Sequence, residues 1–335
     1  MLKDDVLKAL LEAGDYCSGQ ALCERFHVTR TAVWKAVARL RDEGYTIEAR
    51  QNRGYRLQNT EYLLSQASLD EAFAAQNFLK RWVFLQQTDS TNLEVKRAAA
   101  AGDRGPTLFV AEEQTAGRGR RGRNWSSPPG SGIWMSLLLR PSLRPERASV
   151  LTLVTALAVT DGIREATGLE AAIKWPNDVV VMGKKVAGIL TEMSTDMDRI
   201  EFVVIGIGIN VNTESFPEEI RSVATSLAIE QGKRAARTPI IAAIWKHFAA
   251  YECLFEATGS FAALKERYET LLANRNREVR VLDPDGEYTG TAIGITEEGE
   301  LLVLRDDQSL TAKSACAEFT AMCNFVSSGH REQEE

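Results

Sequence analysis

Between Asp178 and Asn210 the chain turns back on itself too quickly for a parallel sheet. Extended apolar patterns run through residues 178–192 and 200–210, and the first is broken at Met182-Gly183-Lys184. Parallel neighbours need a crossover of about a dozen residues or more, whereas a tight turn joins antiparallel strands. This excludes a doubly wound parallel sheet as the body of the protein. Further strand patterns at 82–86, 107–112 and 133–139 are interleaved with helical ones at 91–101, 146–166 and 239–272. Residues 63–273 therefore read as a mixed α+β domain. The most apolar stretch, 148–160, has the length of a buried core helix and is too short to span a bilayer.

Past Arg277 the pattern shortens. Strands up to about residue 322 are punctuated by Asp283-Pro284-Asp285-Gly286 and Glu297-Glu298-Gly299, which predicts a small β-barrel. The polar residues 327–335 are expected to be a disordered tail. With 335 residues, and about 150 per domain as a guide, the chain divides into units at 1–62, 63–273 and 274–326.

The formal net charge of −6 conceals a division. Ten Lys/Arg against eight Asp/Glu give the first sixty residues +2, which leaves −8 for the rest. Val6, Leu7, Leu10 and Leu11 form the apolar stripe of a first helix. Ser18 is placed to cap a second at 19–26, with Ala21, Leu22 and Phe26 facing inward. After a turn at His27-Val28, where His27 reads as a surface or packing residue, Thr29 caps a third helix that buries Val33, Val37 and Leu40. Its outer face carries Arg30, Thr31, Trp34, Lys35 and Arg39. Two helices so closely joined, the second polar and basic outside, fit a helix-turn-helix that enters the major groove. Residues 45–49 and 55–57 alternate on either side of a turn, a hairpin tipped by Arg50 and Arg53. A solvated bundle with an idle basic face has no use for such a ribbon, so a DNA-reading winged helix is the better reading.

The five cysteines, Cys17, Cys23, Cys253, Cys316 and Cys323, contain no CxxC, and only three histidines accompany them. Neither a zinc site nor a disulfide framework is expected. The amphipathic, acidic N-terminus lacks the features of a signal peptide, so a reduced, cytoplasmic protein is expected.

Three clusters carry chemistry. Ala116-Gly117-Arg118-Gly119-Arg120-Arg121-Gly122-Arg123-Asn124-Trp125 contains a formal GxGxxG, but the following Ser126-Ser127-Pro128-Pro129-Gly130 cannot open the helix that a dinucleotide fold requires. What remains is a flexible loop with four arginines and no acid, and such mutually repelling charges are best explained by an anionic ligand that orders them. Lys174-Trp175-Pro176-Asn177-Asp178 precedes Gly183-Lys184-Lys185-Val186-Ala187-Gly188-Ile189-Leu190, which puts two cationic groups and a carboxylate on otherwise apolar strands. A cross-strand pair between Lys174 and Asp178 is the simplest structural role for them. Asp89-Ser90-Thr91-Asn92 opens a helix, and taken alone it is a simple N-cap.

These clusters in this order, followed by Gly206-Ile207-Gly208-Ile209-Asn210 and preceded by a winged helix, resemble the bifunctional biotin protein ligases that also repress biotin operons. The resemblance covers nearly the whole chain. It implies a biotin/lipoyl-ligase-like catalytic domain, an SH3-like barrel, and biotin, ATP and Mg²⁺ as ligands. It implies that Ser90, Thr91, Asn92 and Gln114 contact the biotin rings. The loop from Gly117 to Arg123, with Gly119 and Arg121, would fold over biotin and the adenylate phosphate, Arg118 and Arg120 lying closest. Trp125 would stack on adenine, and Asn177 and Asn210 would serve the nucleotide. Lys185 would hold the reacting carboxylate and α-phosphate, Asp178 would position the acceptor lysine, and Lys174 and Gly188 complete the set. Implied partners are a biotin carboxyl carrier protein, operator DNA and a second copy of the chain, without a membrane. The alternatives are a ligase whose winged helix does not bind DNA and a biotin sensor without catalysis. One departure is the last barrel strand, where Ala315-Cys316-Ala317-Glu318-Phe319-Thr320 lacks the glycine and serine usual in these relatives. No ligand contact is assigned to the barrel.

Overall fold

The computed structural model describes residues 2–42, 45–58, 62–196, 199–281, 286–314 and 324–325. Helices α1 (Leu2–Ala13), α2 (Gly19–Phe26) and α3 (Arg30–Asp42) and the hairpin β1 (Ile47–Arg50) and β2 (Gly54–Leu57) form the first unit. Ser18 Oγ accepts the Ala21 amide at 3.0 Å and Thr29 Oγ1 accepts that of Ala32 at 3.3 Å, so both predicted caps form. His27 acts through its backbone: it is left-handed (φ 54°) and its N–H reaches the Cys23 carbonyl, which closes the inter-helix turn. Ala21 is exposed rather than inward-facing. The inner stripe of this two-turn helix is narrow, and Leu22 and Phe26, four residues apart, fill it. Leu22 joins Val6, Leu10, Val33, Val37 and Leu40 in a core of their own. Gly54 (φ +104°) lets the hairpin dock, since a Cβ there would lie 2.1 Å from the Cys17 carbonyl oxygen.

The central unit adds α4 (Gln66–Phe73), β3 (Arg81–Thr88), α5 (Thr91–Ala100), β4 (Thr107–Gln114) and β5 (Gly132–Leu139). It continues with α6 (Val150–Thr167), β6 (Ala172–Lys174), β7 (Asp178–Val181), β8 (Lys184–Asp196) and β9 (Arg199–Asn210). Helices α7 (Glu218–Arg221), α8 (Leu227–Gln231), α9 (Arg237–Thr258) and α10 (Ala262–Leu271) complete it. The strands form one sheet in the order β3-β4-β5-β9-β8-β7-β6. All neighbours are antiparallel except β3 and β4, which α5 connects as a crossover. Helices α6 and α9 cover one face, packed so closely that a Cβ on Gly162 would come 2.6 Å from Ile244 Cγ1. The opposite face is covered in part by α5 through Val95 and Ala99. Short α7, α8 and β6 have too few residues for periodicity to reveal them, and α4, as long as α2, is not among the elements expected from the sequence.

Strands β10 (Arg277–Val281), β11 (Tyr288–Ile295), β12 (Leu301–Arg305), β13 (Leu310–Lys313) and β14 (Asn324–Phe325) form an antiparallel SH3-like sheet in the order β13-β12-β11-β10-β14. Its inward residues Val279, Val281, Ala292 and Val303 belong to the same continuous core as the central sheet. The departing run 315–320 and the tail 327–335 lie outside the described residues.

Candidate active site

The site is built on the period-two alternation of two central strands. On β9, Ile205, Ile207 and Ile209 enter the core under α6 and α9, so Gly206, Gly208 and Asn210 face the other way. On β8, Ala187 and Ile189 are in that core and Gly188 faces out, directly opposite Gly208 in the register. Three positions without side chains thus leave bare backbone as a floor. Two groups lie against it. A Cβ on Gly206 would meet Asn92 Oδ1 at 2.2 Å, and one on Gly208 would meet the Trp125 indole at 2.8 Å. The Trp125 indole N–H is buried and has no hydrogen-bond partner.

The Asp89-Ser90-Thr91-Asn92 turn does more than cap α5. Ser90 holds the N-cap position, but its hydroxyl makes no cap bond. The Thr91 amide instead donates to Gln114 Oε1 at 2.9 Å, which ties the helix start to the end of β4. The Ser136 hydroxyl lies 2.6 Å from both Thr91 Oγ1 and Asn92 Oδ1. Asn92 Nδ2 donates to Glu192 Oε2 at 2.7 Å, and Lys96 neutralises that carboxylate at 2.7 Å. The Arg97 guanidinium beside Asp89 holds its carboxyl far below the usual carboxylate range, assisted by the Ser90 amide.

The arginine loop is a closed hairpin here, where the composition suggests a mobile strap. Trp125 N donates to the Gly117 carbonyl at 2.9 Å and Gly119 N to that of Arg123 at 2.7 Å, around a helical turn at Arg120–Gly122. Gly117 is required, because a Cβ would lie 2.4 Å from the Trp125 carbonyl oxygen. Arg118 and Arg123 are exposed, and Arg120 Nη1 donates to Asn177 Oδ1 at 3.0 Å. Of Arg121 only the backbone, within the turn, is described. Gln114 Nε2 donates to Ser127 Oγ at 2.8 Å, anchoring the far side of the loop.

Asp178 is paired with Lys185, whose Nζ lies 2.6 Å from its Oδ1. Lys174 sits across from Asp178 in the β6–β7 register, but the ion pair that Asp178 makes is with Lys185. A bulge explains this. The register shifts between Val179 and Val180, so Lys185 falls opposite Val180, on the same face as Asp178. Regular pairing would have put Lys185 opposite Val181, on the core face. Its ammonium also lies 5.3 Å from the Trp125 ring centroid, a cation–π contact. Asn177 is fixed by exchanging bonds with Ile189, its Nδ2 donating at 3.0 Å and its carbonyl accepting at 2.9 Å.

Ser90, Thr91, Asn92, Gln114, Gly117, Arg120, Trp125, Asn177, Asp178, Lys185 and Gly188 therefore surround one stretch of sheet. Asn210 lies on the same face of β9, with its amide turned onto the Thr225 carbonyl at 3.2 Å. Ser136, Ser127, Glu192, Gly206 and Gly208 are the additions. Ser136 had a readable signal as the one polar residue in the apolar run of β5, and the glycines alternate with isoleucines, but nothing in the sequence marks Glu192. Among the described residues no group of three His, Cys, Asp or Glu side chains is placed to hold a metal ion, and Cys17, Cys23 and Cys253 are free.

In the N-terminal unit Arg30, Thr31, Lys35 and Arg39 are exposed, and Trp34 is 58% exposed. Arg50 and Arg53 are exposed on the hairpin tip, with Arg53 3.5 Å from Asp15 and stacked 4.3 Å from the Tyr16 ring centroid.

A winged helix ahead of a mixed sheet whose glycine floor is bordered by Arg120 and Lys185 defines a ligase with an appended DNA-binding module. The Biotin/lipoate A/B protein ligase family matches residues 84–210, an HTH domain matches 3–56, and the Biotin protein ligase C terminal domain matches 276–313. The chain is 38% identical to the bifunctional ligase/repressor BirA of Bacillus subtilis over 90% of this chain and 94% of that protein. It is 32% identical to that of Escherichia coli over 90% and 92%. The structure of the Aquifex aeolicus biotin protein ligase in complex with biotin and ATP aligns with a TM-score of 0.63 and 32% identity, covering 73% of this chain and all of that one. The chain belongs to the biotin protein ligase family, as one of its bifunctional ligase/repressors.

Proposed function

We propose that this protein condenses biotin with ATP to biotinyl-5′-AMP, transfers biotin to a lysine of a carrier protein, and represses biotin genes when the adenylate accumulates. The observation that carries this reading is the gathering of two cations at the glycine floor, Lys185 beside Gly188 and Arg120 bonded to Asn177, with Arg118 on the same hairpin. Bringing a carboxylate against an α-phosphate juxtaposes like charges, so the step depends on cations fixed before the reaction. Lys185, turned to this face by its bulge, would receive the reacting carboxylate and phosphate. Arg118 and Arg120 would close over them. Trp125 and Asn92 now lie on the backbone of Gly188, Gly206 and Gly208, and a flat ring would share that space once the indole turns to face adenine; Ser90, Thr91, Asn92 and Gln114 supply polar groups for its edge. Lys174, Asn177 and Asn210 border the nucleotide end.

The leaving group is pyrophosphate, and the mixed anhydride must be kept from water. The hairpin from Gly117 to Trp125, including Gly119 and Arg121, supplies that cover. In the second step the neutral amine of the acceptor lysine attacks the anhydride carbonyl and AMP leaves. Asp178 would orient that amine once ligand draws Lys185 away. Mg²⁺ would enter with the nucleotide and be held through the substrate phosphates, since the described residues include no group of three His, Cys, Asp or Glu side chains placed to hold it. It would supply charge neutralisation on the phosphates.

In regulation, Arg30, Thr31, Trp34, Lys35 and Arg39 would face the major groove and Arg50 and Arg53 its flank. An adenylate-dependent homodimer would present two such modules to a palindromic operator in the cytoplasm. No helix among the described residues is long and apolar enough to cross a membrane. Incubation with biotin, ATP, Mg²⁺ and a carrier domain should raise the carrier mass by one biotinyl group; no increase overturns the ligase. DNA from upstream of biotin genes should shift more with biotin and ATP than without, and no specific shift under any ligand condition removes the repressor.

A further inference from the structure

Arg237 opens α9 and is 2% exposed, one of the largest fully buried side chains in the protein. Its guanidinium donates to Glu112 Oε1 at 3.0 Å, to the Gly132 carbonyl at 3.1 Å, and to the Tyr62 carbonyl at 3.2 and 3.4 Å. Glu112 Oε1 also accepts the Gly130 amide at 2.7 Å. These partners belong to three different parts of the molecule. Gly130 and Gly132 end the segment that begins with the arginine loop. Glu112 lies two residues before Gln114 on β4. Tyr62 lies where the linker enters the ligase domain: Leu63 packs on the winged-helix core, and Leu64 is buried in the ligase core. The Arg234 guanidinium lies 5.4 Å from the Tyr62 ring centroid and holds the same residue from outside.

A buried ion pair of this kind is a poor device for stability alone, because apolar residues of equal volume generally serve as well. What apolar residues cannot do is join three backbone segments by directional bonds. We propose that Glu112 and Arg237 are positioning residues that transmit closure of the arginine loop to the linker and so to the winged helix. Loop closure shifts Gly130, which is bonded to the Glu112 carboxylate; the carboxylate orients the guanidinium; the guanidinium holds the Tyr62 carbonyl. This rests on the reading that the loop closes on biotin and ATP.

Hydrogen exchange of the full-length protein with and without biotin and ATP tests it, comparing wild type with Glu112→Gln and Arg234→Ala. Glu112→Gln keeps the shape of the junction and weakens its loop end, whereas exposed Arg234 can be truncated without disturbing the core and frees its linker end. In wild type both ligands together should slow exchange in the loop and in residues 62–69, each by about tenfold. Both variants should retain loop protection and lose the ligand response of 62–69. A group that is merely structural would raise linker exchange equally with and without ligand. If the wild-type loop is not protected, the ligand reading falls and this inference with it. If the loop is protected but 62–69 does not respond in wild type, or responds in either variant as it does in wild type, the inference alone is overturned.

Discussion

Lys185 Nζ lies 2.6 Å from Asp178 Oδ1 because one strand irregularity brings both side chains to the same face of the sheet. The two have different assignments, the lysine to the first half-reaction and the aspartate to the second. Lys185→Gln should slow pyrophosphate release about 100- to 1,000-fold, the usual effect of deleting one donor that meets developing charge. Asp178→Asn should slow single-turnover transfer from preformed biotinyl-5′-AMP to a carrier domain more than it slows formation of the adenylate.

The glycine floor makes a steric prediction. A methyl group on Gly208 would meet the Trp125 ring at 2.8 Å, so Gly208→Ala must displace the indole. We expect an altered tryptophan emission spectrum and a raised KM for biotin and ATP. The stability loss should be about 1–3 kcal/mol, as for other overpacked sites, read from denaturant midpoints.

Truncating Arg237 leaves Glu112 buried without its cation. Arg237→Ala should lower the stability of the ligase core by about 3–5 kcal/mol. The winged helix has a separate core, so calorimetry should show one transition moving down in temperature while the other stays in place.

Glu252 gives stability a pH dependence. Burial, reinforced by the carboxylate of Glu256 one turn away, pushes its pKa up to about 7 from an ordinary 4.5. Between these values the folded protein holds a proton that the unfolded chain releases, so stability falls as pH rises from about 4.5 to about 7 and then levels off. Glu252→Gln should remove that slope and be more stable than wild type at pH 8. Urea midpoints at pH 5 and pH 8 for both proteins check this.

On α3, Lys35 is exposed and Arg30 donates to Gln20 at 3.1 Å. Lys35→Ala should weaken DNA binding and reduce the slope of log K against log salt by about one, if it neutralises one phosphate. Its thermal midpoint should match wild type. An unchanged slope would place Lys35 off the backbone.

Much of the architecture could be read from local pattern. Val6 and Leu10 on α1, Val33, Val37 and Leu40 on α3, and the alternation around Arg50 to Arg53 outline the winged helix, because helix and strand periods and turn chemistry are properties of neighbouring residues. The tight turn at Met182-Gly183-Lys184 likewise decided antiparallel pairing, because a short turn is also a local feature. Other features depend on residues far apart in the chain. Nothing local says that Lys185 meets Asp178, since that follows from where a bulge falls in a register. Nothing local joins Asn92 to Glu192, or Arg237 to Glu112 and Tyr62, and Ser90 looks like a cap until Gln114 is seen to take the Thr91 amide. The sequence by itself determined the elements, their faces and the residue types available to the site. Only the tertiary structure decided which of those residues touch, because contact across a sheet is set by strand order and register.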